Sequence, residues 1–410
     1  MSASTSFVIV GGGLAGAKAA EALRAKNFDG TIVLLGEEQQ LPYERPPLSK
    51  DFLAGKKTLG DFTVHPQDWY REHDVDLRTG ARAVSLDPAG HTVGLADGTS
   101  LSYHKLLLAT GSRSRRVPIP GADAHGVHYL RTVDDATALD SALAAGASLA
   151  VVGAGWIGME VAASARQRGV DVTVVETAEL PLLASLGAEN GAVFAALHRE
   201  HGVDLRLGSA VAEITTADGA ATGLRLGDGS QISAGAVLVA VGAQPNIELA
   251  QQAGLATGGG GVLVDAGLCS SDPDIYAVGD IAAAQHPLLE TRIRTEHWAN
   301  ALKQPVVAAG GMLGESGEYA ELPYFFTDQY DLGMEYVGHA PEYARVVFRG
   351  DTDGREFTSF WLGDDNRVLA GMNVNIWEGL DDIKALIAAQ APVDPDRLAD
   401  PGTPLGDLSA

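Results

Sequence analysis

Apolar and polar positions along this chain fall into two blocks that repeat one pattern. Residues 6–38, SFVIVGGGLAGAKAAEALRAKNFDGTIVLLGEE, open on a short apolar run, break at glycines, continue with apolar residues at helical spacing and close on a second apolar run followed by acid. Residues 148–179, SLAVVGAGWIGMEVAASARQRGVDVTVVETAE, do the same. Each block predicts a buried strand, a tight turn, an amphipathic helix and a second strand. In the first helix Ala15, Ala19, Ala22 and Leu23 form an apolar stripe, with Lys18, Glu21 and Arg24 facing outward. Two such units imply two nucleotide-binding folds and an old duplication.

Three further apolar runs end in small residues: HKLLLATG (104–111), GAVLVAVG (235–242) and DIYAVGD (274–280). They read as strands buried between helices, with ligands beyond their carboxyl ends. The turn signals DPAG, ADGTS and LGDGS separate alternating runs and predict antiparallel hairpins inserted into both units. From about residue 324 the texture shifts to aromatic, alternating segments (YFFTDQYDLGMEYVG, YARVVFRG, EFTSFWLG) followed by a helical DDIKALIAA, which predicts a smaller α+β domain. The Pro- and Asp-rich tail APVDPDRLADPGTPLGDLSA is expected to be extended or poorly ordered.

The glycines give the pattern its chemistry. Gly11, Gly13 and Gly16 form G-x-G-x-x-G directly after the strand FVIV. The first allows the tight turn, the second a close approach of backbone to a diphosphate, and the third close packing of helix on strand. The diphosphate then faces the positive end of the helix dipole. Glu37 stands where an acid accepts hydrogen bonds from a ribose. Such a triplet alone is also what a plain Gly-rich strand–helix turn shows; strand, helix and acid together favour a nucleotide. Gly153, Gly155 and Gly158 repeat the fingerprint around Trp156 and Ile157, with Glu176 at the end of the following strand and Gly242 closing GAVLVAVG. A carboxylate at 176 repels a 2′-phosphate, and no Arg follows within ETAELPLLASLG, so NADH is preferred over NADPH.

Composition narrows the classes. The 410 residues suggest two or three domains, and the 50 glycines fit backbone held close to phosphates. A formal charge of −24 argues against nucleic-acid binding and against a polybasic membrane anchor. The one cysteine, Cys269, permits neither an intramolecular disulfide nor a Cys-rich metal site, and reads as a buried structural thiol. The histidines lack ligand spacing, and no metal is expected. The start MSASTSFVIV lacks a basic signal region and no apolar run is long enough to span a bilayer, so a soluble cytoplasmic protein is expected, monomer or homodimer. The run Arg113–Ser114–Arg115–Arg116 is read as a solvated loop or as a docking element for an acidic group, and His297 as a structural or docking residue.

Taken with LPYERPPLSK (41–50), LLLATGSR (106–113), YAVGDIA (276–282), RTEHWANALKQ (294–304) and YFFTDQYDLGMEYVG (324–338), the two fingerprints make a set that resembles the FAD-dependent NAD(P)H:ferredoxin reductases. That family serves bacterial oxygenases and cytochromes P450 and is typified by putidaredoxin reductase and the reductase of biphenyl dioxygenase. The likeness runs over the whole chain except its tail. It implies an α/β fold of two Rossmann-like, glutathione-reductase-like dinucleotide domains with a smaller α+β C-terminal domain: residues 1–114 with 245–323 for FAD, 115–244 for the nicotinamide, and 324–410 for the third. It also implies that Gly11, Gly13, Leu14, Ala15 and Gly16 hold the FAD diphosphate and Glu37 its ribose. Arg45, Lys50, Ala83, Ala109, Thr110, Gly111, Arg131, Asp280 and Trp298 would contact FAD. A Lys50–Glu160 pair would lie where hydride arrives, although from sequence alone Lys50 also fits a surface lysine and Glu160 a helix glutamate facing a gap. The implied cofactors are FAD and NADH, and the implied partner is an iron–sulfur ferredoxin bound transiently.

Phe326 departs from the family pattern, which often has Trp there, and many relatives carry an Arg soon after the second acid. On the same scaffold, disulfide reductases need a Cys pair soon after the first fold, where PPLSKDFLAG has none. Rubredoxin reductase, monodehydroascorbate reductase and a non-catalytic NADH-sensing flavoprotein stay open as alternatives.

Overall fold

In the computed structural model, which describes residues 5–408, the strand Ser6–Val10 forms the centre of a five-stranded sheet. The segment Met1–Ser4, part of the reading of the N-terminus, and the last two tail residues lie outside the described residues. By packing, the chain forms two compact units: residues 1–44, 59–113 and 243–323, and residues 45–58, 114–242 and 324–410.

In the first unit the sheet order is Ile275–Ala277, Lys105–Leu108, Ser6–Val10, Thr31–Leu35, Val75–Arg78, all parallel. Val8, Ile9, Leu34, Leu106 and Leu107 are fully buried, as continuous apolar runs in a sheet covered on both faces must be. The helix Leu14–Ala25 departs from its predicted single stripe: Ala17 and Ala20, off that stripe, are fully buried as well. The helix Trp298–Met312 lies along it, and alanines on the first helix let the two approach closely. An antiparallel sheet of Ala83–Asp87, Thr92–Leu95 and Ser100–Ser102 is inserted as the turn signals predict.

The second unit contains a parallel sheet ordered Val127–His128, Ala236–Val239, Leu149–Val152, Val172–Val175, Asp204–Arg206. Its four principal strands follow the order of the first sheet, so the duplication read from the pattern extends to topology. Here too an antiparallel insertion follows, Val211–Ala217, Ala220–Leu226 and Gln231–Ser233. The C-terminal sheet is antiparallel and five-stranded: Tyr324–Gln329, Leu332–Gly338, Val368–Val374, Glu356–Leu362, Arg345–Asp351. Met334, Phe357, Trp361 and Met372 share a core with Leu186, Phe194 and Leu197 from the helix Leu183–Glu200.

The tail is a correction. It is wound onto the C-terminal sheet as a short helix, Pro395–Ala399, and a turn, Leu405–Leu408, with Leu398 and Leu408 buried. The Arg349 guanidinium donates to the carbonyls of Leu398, Pro401 and Thr403 at 3.3, 3.2 and 2.8 Å, and to that of Asp400. A Pro/Asp-rich composition gives no sign of this, because the donor that orders the segment lies about fifty residues upstream. Among the described residues no helix is long and apolar enough to cross a membrane.

His198, on Leu183–Glu200, is fully buried, its Nε2 2.8 Å from Gln329 Oε1. Burial pushes its imidazole down to about 4 from an ordinary 6.5. Between those values the unfolded chain holds a proton that the folded chain refuses, so this contribution is whole above pH 6.5 and is lost as pH falls toward 4. The full span corresponds to about 3 kcal/mol. His128 and His286, also depressed by burial, add to the same slope. Urea unfolding of wild type and His198→Gln is therefore expected to show a shallower loss of stability over that window in the variant; identical slopes would show that His198 does not carry this term.

Candidate functional site

The site elements sit at the carboxyl edges of the two parallel sheets. After Ser6–Val10 the chain turns at Gly11, whose φ is +128° and whose missing Cβ would lie 2.0 Å from the Ala109 carbonyl oxygen. A Cβ on Gly16 would lie 2.0 Å from the Gly11 carbonyl oxygen. The protein's own backbone therefore demands both glycines. Gly13 is different. Its φ and ψ, −93° and −167°, suit any residue, and nothing lies within 4 Å of where its Cβ would be. Gly155 in the second turn repeats this, with φ −79°, ψ −174° and open space, while Gly153 and Gly158 are required by the carbonyls of Ala240 and Gly153 at 2.4 and 2.2 Å.

Both helices, Leu14–Ala25 and Trp156–Gln167, start without a capping side chain and without an acid in the first turn. Their first N–H groups have no acceptor within the helix, and the dipole favours an anion there. Two glycines the protein does not itself need, each at an uncapped helix start, fit a diphosphate pressed against backbone. The turns thus fit a dinucleotide in each unit.

In the first unit, Ala109, Thr110 and Gly111 follow the strand beside Ser6–Val10, with the Thr110 hydroxyl donating to the Asn246 carbonyl at 2.6 Å. Asp280 is buried in the turn Gly279–Ile281, where the Gly279 N–H donates to Gln304 Oε1 at 2.7 Å. Trp298 opens its helix, and its indole N–H donates to Glu44 at 2.9 Å. Glu37 is largely exposed, 3.5 Å from Arg82, and Ala83 follows that arginine at the start of the inserted sheet. Arg113 pairs with Glu248 at 2.7 Å, and Arg116 in the second unit stacks on Tyr129, so the basic run is only partly a free loop. Cys269 is half-buried rather than fully buried, bridged to Tyr276; burial first and Asp265 second push its thiol up.

In the second unit the segment 45–58 packs with the second fingerprint. Arg45 donates to the Arg131 carbonyl, and the Arg131 N–H donates to Asp135 at 3.0 Å. Lys50 Nζ lies 2.8 Å from Glu160 Oε1, with side-chain exposures of only 13% and 7%. The Thr327 hydroxyl donates to the same oxygen at 2.6 Å, the Ser49 hydroxyl donates to Glu160 Oε2, and Ser164 Oγ donates to the Ser49 carbonyl at 2.8 Å. Lys50 Nζ also stands 5.5 Å from the centre of the Phe326 ring, so phenylalanine keeps a face for the cation there.

Glu176 ends Val172–Val175 and accepts the N–H groups of Ala154 and Ala178 at 2.7 and 2.9 Å and the Thr177 hydroxyl at 2.9 Å. Burial would raise its carboxyl, but these donors hold it below the usual glutamate range. Trp156 and Ile157 open the second helix; Trp156 packs edge-on to Phe325, and Ile157 is exposed. Gly242, with φ +104°, follows Ala236–Val239, and its carbonyl accepts from Arg115 at 2.9 Å.

Sequence reading missed Ser49, Ser164 and Thr327, which hold Glu160 directly or through Ser49. Thr327 and Gln329 alternate with Phe326 and Asp328, so a buried polar residue on the face shared with Phe325 was a visible signal. Parallel strand pairing also brings Arg206 beside the end of Val172–Val175, where it pairs with Asp204 at 2.9 Å.

Both the sequence and the fold match known proteins. The description of a pyridine nucleotide-disulphide oxidoreductase matches residues 5–304, and that of a reductase C-terminal domain matches residues 324–409. The chain is 42% identical over 395 residues to the ferredoxin–NAD(+) reductase component of the anthranilate 1,2-dioxygenase system of Burkholderia cepacia, covering 96% of this chain and 97% of that one. It is 39% identical over 396 residues to rhodocoxin reductase of Rhodococcus erythropolis, covering 96% and 92%. A chain from the crystal structure of the covalent putidaredoxin reductase–putidaredoxin complex matches with a TM-score of 0.94 at 36% identity, covering 98% and 97%.

Proposed function

This chain belongs to the pyridine nucleotide-disulphide oxidoreductase family, and from that premise we propose that it is an FAD-dependent ferredoxin reductase that oxidises NADH in the cytoplasm and supplies an iron–sulfur ferredoxin serving a P450 or other oxygenase. Residues 1–114 and 245–323 serve FAD, residues 115–244 the nicotinamide, and residues 324–410 complete the enzyme. The observation that carries the reading is the buried Lys50–Glu160 pair packed with the second fingerprint, in the segment where a disulfide reductase needs sulfur. Disulfide exchange needs two sulfurs, and the chain's one cysteine, with its thiol pushed up, belongs to the other unit.

FAD, when bound, accepts two electrons as hydride and releases them singly, which joins a two-electron donor to a one-electron acceptor. The chain's own contribution is binding and orientation. Gly13, Leu14, Ala15 and Gly16 would present N–H groups to the FAD diphosphate, with Ala109, Thr110, Gly111 and Asp280 at the adjoining strand ends. Gly155, Trp156, Ile157 and Gly158 do the same for the dinucleotide of NADH. Lys50, fixed by Glu160, would supply a positive charge that favours the electron density added to a reduced flavin.

Glu176, ionised and already fixed by two backbone N–H groups, favours ribose hydroxyls over a 2′-phosphate. Glu176→Ala is expected to lower the preference for NADH over NADPH by ~1–2 kcal/mol, roughly 5- to 30-fold in the ratio of kcat/KM. An unchanged ratio would place nucleotide selection elsewhere. The reductase activity itself is tested by cytochrome c reduction with and without catalytic amounts of a putidaredoxin-type ferredoxin. Strong stimulation by the ferredoxin is expected; slow turnover with every acceptor would contradict the reading.

A further inference from the structure

Glu160 is buried, and three donors hold its carboxylate: the Lys50 ammonium and the Thr327 hydroxyl on one oxygen, at 2.8 and 2.6 Å, and the Ser49 hydroxyl on the other. The two hydroxyls come from distant parts of the chain. Ser49 ends the turn Pro46–Ser49 and is fixed through its carbonyl by Ser164. Thr327 belongs to the C-terminal strand Tyr324–Gln329, in register with Met334, and is fully buried.

The apolar packing on that strand does not call for a hydroxyl, whose other contact is the long bond it accepts from Gln329. Position 327 shares its face with Phe325, which lies against Trp156 and Tyr336, and a valine would fill the same space with the same strand preference. A hydroxyl buried there costs free energy unless it is bonded, and its single proton is committed to Glu160. Behind it, Gln329 Nε2 donates to Thr327 Oγ1 at 3.3 Å, and Gln329 Oε1 is 2.8 Å from His198 Nε2, so the Thr327 rotamer is itself supported.

We propose that Thr327 is a positioning residue for hydride transfer: its hydroxyl fixes the Glu160 carboxylate and, through it, the Lys50 ammonium, so that the C-terminal domain completes the reacting site. The inference rests on the reading of Lys50 and Glu160 as the groups beside the reacting ring. Without the hydroxyl, Glu160 loses one of the two bonds to its Oε1, and Lys50 is held by a carboxylate that only Ser49 still fixes among the two hydroxyls. Binding of NADH, which does not use Thr327, stays as it is.

The test compares Thr327→Val, which keeps shape and removes the donor, with Thr327→Ser, which keeps the donor. In the holoenzyme, stopped-flow reduction of bound FAD by NADH should be about tenfold slower in T327V, or ~1.4 kcal/mol, with half-saturating NADH within about twofold of wild type. In flavin-free protein, acylation of Lys50 by a small succinimidyl ester, followed by peptide mass spectrometry, should be faster in T327V than in wild type. T327S should restore both. Wild-type rates in T327V, a T327S as slow as T327V, or a slow T327V whose Lys50 acylates at the wild-type rate would overturn the proposal. If T327V does not fold, Thr327→Ala against T327S makes the same comparison. Wild-type holoenzyme that NADH does not reduce would instead sink the functional reading, and the acylation result would still stand as a measure of the pair.

Discussion

Lys50→Met is expected to slow reduction of bound FAD by NADH about a hundredfold, or ~2.7 kcal/mol, the scale of removing one fixed electrostatic group from a reacting centre. Methionine keeps much of the length and apolar body of the lysine stem, so FAD binding, which depends on the turn at Gly11–Gly16, should persist. The substitution has a second consequence because Glu160 remains. Its carboxylate would keep the Thr327 and Ser49 hydroxyls but lose its only cation in this cluster. Breaking a buried pair by removing one partner costs up to about 3–5 kcal/mol, and slightly less here, where Lys50 keeps 13% exposure. The unfolding midpoint should therefore fall in Lys50→Met and recover in part when Glu160→Gln is added, while the slow rate stays. A double variant that regained the wild-type rate would show that the charge on Lys50 is not what the reaction uses.

Gly13→Ala is expected to produce the other large effect, and its value lies in what should not change. The backbone at Gly13 accepts any residue, and a Cβ there meets open space. Alanine narrows the unfolded ensemble by ~0.4–1 kcal/mol and gives up a similar preference for glycine at the helix start, so the flavin-free protein should unfold within about 1 kcal/mol of wild type. A methyl forced between backbone and diphosphate costs ~1–3 kcal/mol, and FAD affinity should fall roughly 5- to 150-fold. Gly11→Ala is the contrast: with φ +128° and a carbonyl oxygen 2.0 Å from the new carbon, it should lower stability of the flavin-free chain itself. Undiminished FAD affinity in Gly13→Ala would mean that no phosphate lies against that turn.

These predictions separate what the sequence made legible from what it hid. The twin turns could be read because their causes are local: strand, tight turn and helix start lie within a dozen residues, and glycine spacing records them. The antiparallel insertions were equally legible from turn residues. What escaped depended on partners far along the chain. The second buried face of Leu14–Ala25 exists because Trp298–Met312 lies on it. The tail is ordered because Arg349 reaches its carbonyls. Arg206 stands beside the strand bearing Glu176 through parallel strand pairing, not sequence proximity. Thr327 lay in between, a polar residue at an inward strand position whose reason appears only when Glu160 is seen opposite it. Lys50 and Glu160 were paired by family resemblance; their distance and burial give that pairing a physical basis.

Anaerobic titration of the purified, FAD-loaded protein with NADH, followed by visible absorption, tests hydride transfer to the flavin directly. The protein should be yellow, its flavin band should bleach with about one equivalent of NADH, the stoichiometry of one hydride to one flavin, and the band should return with about two equivalents of an oxidised one-electron ferredoxin. A colourless protein that FAD does not reconstitute, or a yellow one that NADH leaves unbleached, would contradict that transfer.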